Sequence, residues 1–102
     1  DWDVIVRCYD GLLALSGSPV VALNRAVAVS MLDDPGIALA LVDELASDRR
    51  LAHSHLLPTV RAELLSRLGR RSEAAAEFDR AAELTQNARE RAYFLARAAH
   101  RR

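Results

Sequence analysis

The sequence predicts an all-α fold, a stack of about six antiparallel helices, and three observations carry that expectation. Apolar residues recur at helical spacing along the chain, short breaks rich in Gly, Pro, Ser and Asp separate the runs, and the pattern repeats with a period of 36 residues. The vocabulary agrees: 51% of the residues are apolar and only 5% aromatic, with Ala, Leu and Arg dominant, which lose little freedom in a helix. A chain of 102 residues is one domain's worth, able to bury roughly 60–70% of the surface its unfolded form exposes.

Asp1 caps a first helix in which Trp2, Ile5, Val6, Tyr9, Leu12 and Leu13 share one face, and Gly17 ends it. Trp2 and Tyr9 are expected in the core. Ser18 followed by Pro19 is an N-cap with proline at the first helical position, where its missing donor costs nothing. The helix over about 19–32 is apolar almost all round and is expected to be the buried centre. Asp34 and Pro35 repeat the device and open a third helix through Ile37, Ala38, Leu41, Val42 and Leu45. A fourth runs from about Ala52 to Leu68, with Gly69 as its stop. Pro58 removes a backbone donor, at about 3 kcal/mol in a helix interior, so this helix either starts near Ser54 or kinks. Ser72 is expected to cap a fifth helix with Glu73, Glu77 and Asp79 turned outward. Asn87 and Glu90 have the spacing of a capping box for a last helix, made basic by Arg89, Arg91, Arg97, Arg101 and Arg102.

Shifting the chain by 36 residues places Arg25-Ala26 on Arg61-Ala62, Val29 on Leu65, Leu32 on Leu68, Ala38 on Ala74, Val42 on Phe78 and Asp43 on Asp79. Two helical hairpins, near 18–50 and 53–86, thus stack with flanking helices as a single domain over residues 1–102. The stretch Leu68-Gly69-Arg70-Arg71-Ser72-Glu73-Ala74, continuing to Phe78, Ala81 and Leu84, resembles the turn and second helix of a tetratricopeptide repeat, which implies a right-handed stack. The chain departs from that pattern at Pro58 and Arg61, where the family carries large apolar residues, and at Gln86, near its closing proline.

A narrower resemblance covers nearly the whole chain. Trp2 with Tyr9-Asp10, the run Ser18-Pro19-Val20-Val21-Ala22-Leu23-Asn24-Arg25-Ala26-Val27-Ala28-Val29, and Arg61-Ala62-Glu63-Leu64-Leu65 with Arg67-Leu68-Gly69-Arg70 resemble the C-terminal tetratricopeptide-like extension of one group of extracytoplasmic-function RNA polymerase sigma factors. That resemblance implies a regulatory domain tuning transcription initiation through protein contacts. The implied partners are the N-terminal sigma regions, RNA polymerase or a regulator, with promoter reading done elsewhere in a longer protein. The start at Asp1, without methionine and directly in a helical pattern, fits a fragment. A peptide-binding adaptor domain of another intracellular protein is the alternative.

Composition narrows the function classes. All 14 basic residues are Arg and are balanced by 14 acidic ones, so no net charge draws the chain to nucleic acid or an anionic membrane. No apolar run approaches the length of a membrane span. The single cysteine, Cys8, cannot form an internal disulfide, as expected of a reducing, cytoplasmic setting. His53 and His55 point about 200° apart on a helix and share no metal there. Asp33-Asp34 reads as capping, and no nucleophile–base pair or phosphate loop appears, so no enzyme activity, cofactor, metal or small-molecule substrate is expected.

Asn24 and Arg25 are the polar side chains of the apolar second helix. A buried guanidinium demands a partner, and Asp10 and Glu63 are candidates. Arg25 is then either a structural ion pair or, with Asn24, Arg61 and Glu63, part of a protein-binding surface on the groove of the stack.

Overall fold

The computed structural model describes residues 1–101, with only the backbone of Arg101; Arg102 and the Arg101 side chain, both assigned above to a basic helix end, lie outside the described residues. The described residues form α1 (Trp2–Ser16), α2 (Pro19–Leu32), α3 (Pro35–Leu45), α4 (Leu56–Arg67), α5 (Arg71–Leu84) and α6 (Ala88–Arg101), with one 3₁₀ turn over Arg49–Leu51 and no strand. Each helix packs on the next, and α2 also touches α4.

The ends are built from the chemistry expected of them. Asp1, Ser18 and Asp34 accept hydrogen bonds from the backbone N–H groups of Asp3, Val21 and Gly36, supplying acceptors to first-turn donors that lack helical partners. Gly17 adopts φ 61° and donates to Leu13 O, closing α1 in a left-handed conformation that side chains resist. At Gly69, φ 77°, the N–H of Gly69 bonds Ser66 O and that of Arg70 bonds Leu65 O, so two orphan carbonyls of α4 are satisfied.

Several boundaries differ from expectation. Helix α4 starts at Leu56, where Ser54 Oγ accepts from the Leu56 N–H at 3.1 Å. Pro58 therefore falls in the first turn, where no backbone donor is needed, and the helix gives up no hydrogen bond. The preceding stretch folds into the 3₁₀ turn because Asp48 accepts from the Arg50 N–H and also binds its guanidinium. Ser72 does not cap α5. Arg70 occupies the cap position without a side-chain bond, and its guanidinium grips both Glu73 oxygens, at 3.0 and 2.7 Å. Asn87 accepts from the N–H groups of Arg89 and Glu90, while Thr85, not Glu90, receives the Asn87 N–H; Glu90 accepts instead from the Thr85 hydroxyl.

The core lies further along the chain than the apolarity of α2 suggests. Leu23, Ala26 and Ala28 of α2 are buried, but Val20, Met31 and Leu32 are exposed, and the largest fully buried ring is Phe78 on α5, stacked on Phe94 at 6.4 Å. Trp2 and Leu12 of α1 are also exposed, whereas Leu39 and Leu51, not on the expected stripes, are buried. The period of 36 residues extends beyond the two hairpins: Ala26, Ala62 and Ala98 are each 0% exposed, and Val6, Val42 and Phe78 are all buried. A small, fully buried residue thus recurs at the equivalent position of α2, α4 and α6.

Candidate protein-binding surface

The arginines preceding those alanines each reach back to a carboxylate on an earlier helix. Arg25 binds Asp10 of α1 through Nε. Arg61 donates from Nε to Asp43 of α3 at 2.8 Å and lies 3.4 Å from Glu77 of α5. Arg97 donates to Glu63 of α4 at 2.7 Å with its guanidinium 4.5 Å above the centre of the Phe78 ring. Of the two partners considered for Arg25, Asp10 is the one it takes, and Glu63 serves Arg97. The third pair, Arg97-Ala98, repeats the signal of Arg25-Ala26 and Arg61-Ala62, but the leucines after residue 62 have no counterpart in α6, so matching two windows alone overlooks it.

These pairs separate the candidate residues. Asn24 is exposed on α2 with no side-chain partner among the described residues. Arg61 and Glu63, two positions apart on α4, point to nearly opposite sides. Glu63, with Val27, Thr59, Val60, Leu64 and Arg67, lines a small cleft of about 180 Å³ between α2 and α4. At its end Arg67 donates to Ser30 Oγ at 3.1 Å and approaches Met31 Sδ at 3.9 Å.

That cleft belongs to a longer face. On α2 the positions Val20, Asn24, Val27 and Met31 follow one another at helical spacing; one period on, α4 carries Leu56, Val60, Glu63 and Arg67, and α6 carries Ala92, Ala96 and Ala99. Val20, Met31 and Leu56 are exposed at 41%, 50% and 39%, and the three alanines of α6 are exposed as well. In this shared register the three helices carry a mainly apolar strip, interrupted by Asn24, Glu63 and Arg67. Exposed apolar residues in one contiguous patch mark interaction sites more often than scattered ones do. Sequence periodicity identified these residues as apolar but not as uncovered, because it does not say which side of an all-apolar helix meets a neighbour.

Arg61 faces the other side, on a larger cleft of about 460 Å³ bordered by Asp43, Leu51, Leu57, Pro58, Glu77 and Leu84. The hydrogen bond to Asp43 holds the Arg61 guanidinium above its ordinary pKa. Glu77, expected to point outward, is turned into this cleft with its side chain 19% exposed. Burial pushes its carboxyl above the usual carboxylate range, because Arg61, committed mainly to Asp43, returns too little. A carboxyl that holds its proton to higher pH when folded than when unfolded adds stability as pH falls through that range and loses it as pH rises past the folded value. In urea unfolding from about pH 7 down to about pH 4, wild type is therefore expected to gain stability relative to Glu77→Gln; a gap that stays constant with pH would rule out this role for Glu77.

Among the described residues, no three His, Cys, Asp or Glu side chains are grouped to hold a metal ion. None of their helices is long and apolar enough to cross a membrane. His55, at the start of α4, faces Glu90 at 3.6 Å. No family model matches the chain, and no solved structure matches it. An uncharacterized protein of Rhizobium meliloti (strain 1021) is 47% identical over 93 residues, which is 91% of this chain and 22% of that protein. The chain thus spans about a fifth of the length of the relative it matches.

Proposed function

We propose that this chain is a non-catalytic protein-interaction domain, a tetratricopeptide-like right-handed stack that regulates an extracytoplasmic-function sigma factor from within the cytoplasm. The observation that carries the interaction reading is the apolar strip of α2, α4 and α6, with Val20 and Leu56 exposed in the same register. Helical-repeat stacks hold partners along extended faces of this kind. The sigma-factor assignment rests on the resemblance of the Ser18–Val29 run and of the Arg61–Arg70 segment. The implied partners are sigma regions, RNA polymerase or a regulator, and neither nucleic acid, cofactor nor small-molecule substrate enters the reading.

The test uses the longer protein that carries this domain. Added to RNA polymerase core, it is expected to direct promoter-dependent transcription, and the double variant Val20→Glu, Leu56→Glu is expected to change that output. The isolated domain's thermal midpoint should stay nearly constant, because exposed substitutions away from core features shift stability by only about 0.5 kcal/mol. Absence of promoter-dependent transcription discards the sigma-factor reading and leaves the peptide-binding adaptor. A double variant indistinguishable from wild type in transcription and in partner binding removes the strip from both.

A further inference from the structure

The cleft bordered by Arg61 has a volume of about 460 Å³, within the range of roughly 300–1,000 Å³ that small-ligand sites occupy. Its apolar wall comes from Leu51 of the 3₁₀ turn, Leu57 and Pro58 at the start of α4, and Leu84 at the end of α5. Ser54 Oγ, which accepts from the Leu56 N–H, also lies on this wall.

The charges in this cleft exceed what the repeat requires. Each period joins one arginine to one carboxylate on an earlier helix, as Arg25 joins Asp10 and Arg97 joins Glu63. Arg61 has that partner in Asp43, yet Glu77 of the following helix also approaches it, at 3.4 Å. One and two periods earlier the Glu77 position holds Leu41 and Ile5, so the stack forms there without a carboxylate. A single guanidinium thus answers two carboxylates, and the inner cleft is left one positive charge short. The raised carboxyl of Glu77 reflects the same shortfall. Arg80 carries the missing charge at the rim of the cleft, three positions along α5 from Glu77 and on the same side of the helix. It attracts Glu77 through space from beyond ion-pair distance.

We infer that this cleft binds a free α-amino acid with an aliphatic side chain, its ammonium group between Asp43 and Glu77, its carboxylate on Arg80 and its side chain against Leu57, Pro58 and Leu84. A purely cationic ligand would face Arg61 and Arg80, and a purely anionic one Asp43 and Glu77, so each would meet like charges. A zwitterion answers both ends. Its two charges stand on one carbon in a free amino acid but not within a peptide chain, which separates this ligand from the protein partner of the strip. The amino acid is bound, not transformed. The cleft lies on the other side of α4 from the strip, so the two sites can fail separately.

The probe is L-leucine, titrated into the intact chain at neutral pH by calorimetry. Saturable binding with a Kd of about 1 mM or tighter is expected, and Glu77→Gln and Arg80→Gln should each weaken it about tenfold or more, as loss of a charge-assisted hydrogen bond does. Arg80 is exposed, so its replacement leaves the fold intact, which circular dichroism checks. Leucinamide, which lacks the carboxylate, and isocaproate, which lacks the ammonium group, should each bind about tenfold or more weakly than leucine. Val20→Glu, on the strip, should leave leucine binding unchanged. No saturable heat up to about 10 mM leucine overturns the proposal. So does full affinity in Arg80→Gln, or either analogue binding as tightly as leucine. A loss in Val20→Glu equal to that in Arg80→Gln also overturns it, because leucine is then held on the strip.

Discussion

Phe78→Ala is expected to cost about 3–5 kcal/mol of folding stability, the range for deleting a large buried ring, and to lower the thermal midpoint by roughly 15 °C or more. The ring is fully buried on α5, stacks on Phe94 of α6 and lies beneath the Arg97 guanidinium, itself bonded to Glu63 of α4. One side chain therefore joins three helices. Alanine leaves a cavity, and it removes the aromatic face over which Arg97 is held. Since a domain of this size is stable by only about 5–15 kcal/mol, the loss is a large fraction of the total. Urea unfolding followed by circular dichroism measures it, with Phe78→Leu retaining much of the lost stability. A midpoint no lower than that of a substitution at exposed Ala76 would show that the core is not centred on Phe78.

The helical architecture was legible in the sequence because its signals are local. Ser18-Pro19, Asp34-Pro35, Gly17 and Gly69 each act within one turn, and each stands in the structure where its chemistry places it. Ser72 misled because Arg70 and Glu73 close the α4–α5 turn with a bidentate ion pair, which leaves the serine no cap to make. Pro58 left two readings open, and the 3₁₀ turn resolves them by placing the start of α4 at Leu56, two residues ahead of the proline. Burial was less legible. Val20, Met31 and Leu12 are as apolar as Leu23 and Leu65, and only the packing of α2 on α4, and the open side of α1, separates exposed from buried. For the same reason Asn24, Arg25, Arg61 and Glu63 could be chosen as polar residues in apolar surroundings but not sorted by side. Arg61 and Glu63 share a helix yet serve different clefts, and Arg25 is engaged with Asp10.

The alanine that follows each of these arginines gives the second large effect. Ala62→Leu is expected to destabilise the domain by about 3 kcal/mol, the upper end of what overpacking costs, although leucine is a good helix former and suits the local sequence. Ala62 has no exposed surface and belongs to a cluster with Leu23, Leu64, Leu65 and Val42, where α2 and α3 meet α4. An interior at native packing density has no room for three further carbons, so the helices must part or the side chain must leave its preferred rotamer. Ala96→Leu is the control. It makes the same chemical change on the exposed strip of α6 and is expected to shift stability by no more than about 0.5 kcal/mol. Parting α2 from α4 also displaces Val27 from Val60, which line one cleft, so Ala62→Leu should weaken partner binding at temperatures where the variant is still folded. Equal stabilities for the two variants would mean that the small residue recurring at 26, 62 and 98 does not set the helix spacing, and that the shape of the strip is fixed by something other than this close approach.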